Sequence, residues 1–240
     1  MKSLPLLTLL ACLLLAGDVF AQRAVQPIPR GTEFEWMSIA EWYRRHADDV
    51  EAAKKGEAAI VFAGDSITQG WEWAPAWERD FAPLQPVNIG IGGDKTENLL
   101  WRLQNGATGS LRPKLVVLLI GVNNFLHNDD SAQEVFAGVK ANLEQLRTSF
   151  PEARILTLGV FPYGQEPGTR NRERVKVVNT LIETLADDTV TILDIGDALL
   201  EDDGTISKEI MGDFLHPTPE GYERINAAIL PTIKALIEEN

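Results

Sequence analysis

The sequence predicts an α/β protein whose parallel sheet of five strands carries helices on both faces. Three observations predict it. Five short apolar runs recur along the chain, at 58–63, 86–91, 115–120, 154–160 and 189–195. Stretches with helical periodicity separate the later runs and close the chain. Runs such as Leu115-Val116-Val117-Leu118-Leu119-Ile120 are apolar at every position, as suits strands buried on both faces. Strand-helix alternation of this kind builds parallel sheets.

The elements follow in order. Lys2 precedes an apolar run from Leu6 to Ala16, and Val19-Phe20-Ala21 ends the segment. One cation, a short apolar core and a small final residue describe a secretory signal over residues 1–21, cleaved after Ala21. Such a run falls short of the ~20 apolar residues that span a bilayer. The protein is accordingly expected to be exported, to the periplasm or outside the cell. Leu9-Leu10-Ala11-Cys12 offers a lipoprotein reading, which the continuation of the apolar run past Cys12 opposes. Residues 22–32 hold two prolines and no periodicity, and are expected to be an exposed leader. Residues 33–240 then form one domain without repeats or low-complexity segments. Its first helix is expected within 33–55, from Phe34, Met37, Ile39, Trp42 and Tyr43 at roughly helical spacing. Later helices are expected over 131–150, 169–186 and 219–239.

Composition narrows the function. Cys12 is the only cysteine, so beyond the signal no disulfide framework, thiolate zinc site or cysteine nucleophile is available. A net charge of −13 opposes binding to nucleic acid and to anionic membrane surfaces. No metal or organic cofactor is called for by the chemistry below, and the oligomeric state is not legible.

Small and polar residues collect after the strands, where open α/β sheets place their sites. The first run leads into Gly64-Asp65-Ser66, the second into Gly90-Ile91-Gly92-Gly93-Asp94 and the third into Gly121-Val122-Asn123-Asn124. After the fifth run and a loop comes Asp213-Phe214-Leu215-His216. A serine hydroxyl needs a base to become a nucleophile, and histidine suits that task. The chain has three histidines. His46 lies in a charged stretch and is read as solvated, and His127 as a loop residue lining the cleft. His216 alone has a carboxylate three residues before it in a loop entering a helix. Asp213 can bend back to one ring nitrogen, leaving the other for Ser66. The oxyanion of ester attack needs waiting donors, and Ser66 N–H, Gly93 N–H and the Asn123 amide are candidates. Each residue also has an ordinary reading: Ser66 as a helix cap, Gly92-Gly93 as a turn, Asn123-Asn124 as loop residues, Asp213 and His216 as a surface pair.

Taken together, these blocks resemble the SGNH or GDSL-type hydrolases, with Ser66, Gly93, Asn123 and His216 at the four named positions and Asp213 as the acid. The resemblance runs from about residue 58 to 237. It is nearest to the group that includes the catalytic subunits of platelet-activating-factor acetylhydrolase, through Asn88-Ile89-Gly90-Ile91-Gly92-Gly93-Asp94 and Leu100-Trp101-Arg102-Leu103. It implies a flavodoxin-like three-layer α/β/α sandwich with sheet order 2-1-3-4-5, which sets Ser66 beside Asn123. Many members have aspartate at the position of Asn124, whereas the acetylhydrolase-like group shares the asparagine, and Val122 replaces a more usual threonine. The Gly-x-Ser-x-Gly elbow of α/β-hydrolases is absent, since position 68 is Thr68.

The expected function is hydrolysis of short acyl esters, acetyl above all and on carbohydrates, through an acyl-enzyme. Trp71, Trp73, Trp77 and Trp101 are candidates for sugar stacking, at least two of them being expected to pack helices instead. The alternatives are a lysophospholipase or thioesterase acting on longer acyl chains, and a non-catalytic glycan-binding module.

Overall fold

In the computed structural model, which describes residues 23–238, the apolar runs form one five-stranded sheet. The strands are β1 (Ile60–Gly64), β2 (Pro86–Asn88), β3 (Leu115–Leu119), β4 (Arg154–Leu158) and β5 (Val190–Leu193). Every pair is parallel and the order is β2-β1-β3-β4-β5. β1 and β3 are buried at every position, the consequence of packing helices on both faces.

The long helices are α1 (Ile39–Lys54), α5 (Ala132–Ser149), α6 (Arg170–Glu183) and α7 (Pro219–Glu238). Shorter ones, α2 (Ser66–Trp71), α3 (Pro75–Asp80) and α4 (Thr96–Arg102), fill the β1–β3 region. Capping fixes where they start: Ser38, Ser131 and Thr169 each accept a backbone N–H three residues on, and Glu134 completes a capping box with Ser131. No helix among the described residues is long and apolar enough to cross a membrane.

Two expectations are corrected. His46 is buried rather than solvated: its ring packs 5.0 Å from Trp101, and its Nε2 lies 3.1 Å from the Asn105 carbonyl. Burial and the nearby Arg102 lower its pKa. The leader is exposed along much of its length but is anchored at two points. Ala24 is fully buried beside α4 and α5, and Arg30 is buried against the Gly92–Asp94 loop. An isolated cation meeting an acid 64 residues away leaves no periodic trace in the sequence. The expected signal over residues 1–21, with Cys12, lies outside the described residues.

Candidate active site

The site lies beyond the carboxyl ends of β1 and β3, where the strand order reverses. β1 runs straight into α2, and Gly64 makes that turn possible: a Cβ there would lie 2.3 Å from the Leu119 carbonyl. Asp65, not Ser66, is the N-cap, its carboxylate accepting the Ile67 N–H at 3.0 Å. Ser66 is therefore free of capping duty and opens the helix, where amides lack intrahelical acceptors. Asp65 is buried, and that burial raises its pKa to about 7.

α7 braces the helix that carries Ser66 from behind. Tyr222 Oη donates to the Ile67 carbonyl at 2.7 Å, and Trp71 Nε1 donates to Asn226 Oδ1 at 2.8 Å. From the other side Asn88 Nδ2 donates to the Thr68 carbonyl at 2.7 Å.

Ser66 Oγ lies 2.9 Å from His216 Nε2, and His216 Nδ1 lies 2.6 Å from Asp213 Oδ2. An ionised carboxylate only accepts, so Nδ1 carries the ring proton and Nε2 accepts from the Ser66 hydroxyl. The three-residue spacing works because Phe214 adopts a left-handed φ of 62°, folding the loop so that Asp213 Oδ1 also accepts the N–H groups of Leu215 and His216. Burial pushes the Asp213 carboxyl up, but the hydrogen bonds from the His216 backbone and ring outweigh it and hold the pKa below the usual carboxylate range. The pair is open to solvent, with side chains 44% exposed for His216 and 58% for Asp213.

The opposite wall is buried. In the Gly92–Asp94 loop the Gly92 N–H donates to Gln69 Oε1 (2.8 Å) and the Asp94 N–H to the Ile91 carbonyl (3.1 Å). Between those occupied amides sits Gly93, with φ 75° and no room for a Cβ, which would meet Trp36 at 2.7 Å and the Arg30 guanidinium at 2.9 Å. Asn123 is buried and donates from Nδ2 to the Asp94 carbonyl at 3.0 Å, leaving its second amide hydrogen for the cavity. Asn124 does not face the cavity; it is fully buried, its Oδ1 accepts the Thr96 N–H (2.9 Å) and its Nδ2 reaches Asp130 (2.9 Å).

Beneath this loop runs a buried ionic network. Asp94, fully buried, accepts from Arg102 Nε (2.6 Å), Trp42 Nε1 (2.6 Å) and Arg30 (3.3 Å). Arg102 also donates to the Ile89 carbonyl (2.6 Å) and the Gly64 carbonyl (3.2 Å). One guanidinium thus ties the end of β1 to the Gly93 loop. Burial pushes the Asp94 carboxyl up, against the pull of Arg102 and Arg30.

These walls enclose a cleft of about 860 Å³ that brings together all five candidate residues: Ser66, Gly93, Asn123, Asp213 and His216. His127 lines it, as expected from its loop position. Of the four tryptophans singled out, Trp71 and Trp77 are buried in the core, Trp101 packs on Trp42 at 5.5 Å, and Trp73 alone reaches the cleft. Trp36 and Leu126 also line it and were missed. Trp36, Trp73 and Leu126 are all exposed at the cleft, at 58%, 73% and 41%.

The GDSL-like Lipase/Acylhydrolase family matches residues 62–224. The platelet-activating factor acetylhydrolase IB subunit alpha2 of Rattus norvegicus is 36% identical over 201 residues, covering 82% of this chain and 86% of that protein. A GDSL-like lipase from Bacteroides thetaiotaomicron shares the fold with a TM-score of 0.63 at 24% identity, over 82% of this chain and 97% of that one. A carbohydrate acetylesterase from Sinorhizobium meliloti does so with a TM-score of 0.59 at 20% identity, over 75% and 100%. The chain belongs to the GDSL-like lipase/acylhydrolase family and is a carboxylic ester hydrolase.

Proposed function

We propose that the protein is an exported acetylesterase acting on acetylated carbohydrates, with Ser66 as nucleophile, His216 as general base and acid, and Asp213 as the group orienting it. The observation that carries the roles is the continuous Ser66–His216–Asp213 contact, 2.9 and 2.6 Å, opening into the large cleft. His216 Nε2 takes the hydroxyl proton as Ser66 Oγ attacks the acyl carbonyl. The oxyanion is held by the N–H groups of Ser66 and Gly93 and by the free hydrogen of the Asn123 amide. His216 then returns the proton to the leaving alcohol. Water, deprotonated in turn by His216, releases the acyl group.

Two features support acetyl esters of carbohydrates. The names of the rat relative and the Sinorhizobium enzyme both specify acetyl removal. Trp36 and Trp73 present exposed ring area at the cleft, suited to the apolar faces of a sugar. Export rests on the signal-like composition of residues 1–21. The same exposed apolar rim, with Leu126, favours a second reading, a lysophospholipase or thioesterase that lays a longer acyl chain along the cleft.

Nitrophenyl esters from acetyl to palmitoyl separate the two. Activity that peaks at acetyl and falls steeply beyond butyryl is expected, whereas a long-chain optimum overturns the acetyl reading. Ser66→Ala is expected to abolish turnover with the fold retained. Full activity in that variant overturns the assignment of the nucleophile.

A further inference from the structure

Behind Gly93 the main cleft adjoins a smaller cavity of about 170 Å³, the two sharing Gly93 and His127 as walls. A cavity of about 150 Å³ accepts a benzene ring, so this one has room for a substituent that carries a carboxylate. Its lining contains three cations, Arg23, Arg30 and Lys95, and no carboxylate, in a chain of net charge −13. The acids that balance these cations lie behind them: Asp94 and Glu97 have side chains 0% and 1% exposed, and meet Arg30 at 3.3 Å and Lys95 at 3.2 Å. Arg23 approaches Glu97 only to 3.5 Å and is half exposed. The cavity wall therefore presents positive charge while the matching negative charge is buried away from it.

Two of the cations, Arg30 and Lys95, are held in place. Arg30 is stacked against Phe34 and Trp42 (5.4 and 5.9 Å) and donates to the Gly92 carbonyl. Lys95 is anchored through Asn128 Oδ1 at 3.0 Å. The positive field reaches the main cleft: besides burial, Lys95 and Arg30 both lower the pKa of His127, which lies on the shared wall.

We infer that this cavity is an anion subsite of the active cleft, and that the preferred substrate carries a carboxylate close to the scissile ester, as in an acetylated acidic sugar. The inference rests on the esterase reading of the cleft and narrows it. A substrate with its acyl carbonyl in the main cleft places its acidic group across the shared wall, on the side of Arg23, Arg30 and Lys95. Charge-assisted hydrogen bonds there stabilise ground state and transition state alike, so the preference is carried by KM.

The test compares O-acetylated methyl glucuronoside with O-acetylated methyl glucoside, differing only in the carboxylate. A preference of at least tenfold in kcat/KM for the acidic ester is expected at low ionic strength, carried by KM and shrinking severalfold in 0.5 M NaCl. Lys95→Gln and, independently, the exposed Arg23→Gln are each expected to reduce the acidic-to-neutral ratio by fivefold or more. Equal kcat/KM for both esters in the wild-type protein overturns the subsite, as does a ratio that neither substitution moves. Competitive inhibition by inorganic phosphate without any preference for the acidic ester also overturns it, since the cavity would then hold free anions only. Failure to cleave either acetyl ester, with nitrophenyl esters also inert, instead counts against the esterase assignment itself.

Discussion

Asn123→Ala is the most informative substitution, because its amide joins a hydrogen bond seen in the fold to the proposed oxyanion contact. One hydrogen of Nδ2 goes to the Asp94 carbonyl at 3.0 Å, and the other remains for the oxyanion. Loss of an oxyanion donor costs ~10²–10³-fold in kcat, about 2.7–4 kcal/mol, with little change in KM because the bond strengthens only in the transition state. Loss of the first hydrogen bond leaves a buried carbonyl without that donor, which costs about 1–3 kcal/mol of stability. For a domain of this size that lowers Tm by roughly 2–12 °C. The two effects are read separately, by steady-state kinetics on nitrophenyl acetate at 25 °C and by thermal melts. Asn123→Asp sharpens the comparison: the side chain keeps its size, but a carboxylate there repels both the oxyanion and the Asp94 carbonyl. Its kcat is expected to fall further than that of the alanine variant. A folded Asn123→Ala protein that loses less than about fivefold in kcat would refute the oxyanion role and leave Asn123 as a structural tie only.

Three further outcomes are expected. Asp213→Asn removes the carboxylate from a pair that is largely open to solvent, where an ion pair at ~4 Å is worth about 1–4 kcal/mol. Loss of the screened charge alone gives a fall in kcat of about 10²-fold, loss of the Nδ1–H tautomer extends it toward ~10⁴-fold, and a fall below about fivefold would contradict the orienting role. Asp65 has a folded-state pKa raised to about 7, so between pH 4 and 7 the native state binds the extra proton and stability is lost as pH rises. Asp65→Asn keeps a capping oxygen without the ionisation, so its Tm relative to wild type should climb across that window; a difference flat in pH would contradict the assignment. Arg102→Met strips Asp94 of its shortest ion pair and frees two buried carbonyls, for an expected loss of ~3–5 kcal/mol in chemical denaturation. An unchanged denaturation midpoint would show that the network does not hold the Gly93 loop.

The fold was legible because buried parallel strands write themselves as unbroken apolar runs, and the edges show where that rule stops. β2 ends at Asn88 although the apolar run continues to Ile91, since Ile89 and Ile91 are buried from a loop rather than a strand. β5 is also shorter than its run, because pairing with β4 stops at Leu193. Residue type made Ser66, Gly93, Asn123, Asp213 and His216 visible, since their chemistry is local to each residue. The burial of His46 had a signal that charge obscured: Trp42, His46 and Ala53 fall on one helical face, and all three are buried. Arg30 and Trp36 had none. Each gains its place from a contact with the Gly92–Asp94 loop, more than fifty residues away, and no periodicity records such a partner.

The two halves of the site are built on opposite physical terms. The proposed acid and base, Asp213 and His216, sit on an exposed loop closed by short-range hydrogen bonds. The proposed oxyanion donors Gly93 and Asn123 sit on a wall held by Arg30, Asp94 and Arg102, whose ionic groups are nearly or fully buried. Such a network carries a large desolvation cost and is weak evidence of stability for its own sake. What it does fix is direction: the Asp94 carboxylate sets the loop that bears Gly93, and the Asp94 carbonyl sets Asn123. Dipoles held in place before the reaction need no reorganisation when charge develops, which is where an esterase gains most of its rate. It follows that the two halves respond differently to substitution. Changes at Asp213 or His216 should lower turnover and leave the melting curve almost unmoved, whereas changes at Asn123, Asp94 or Arg102 should lower both together.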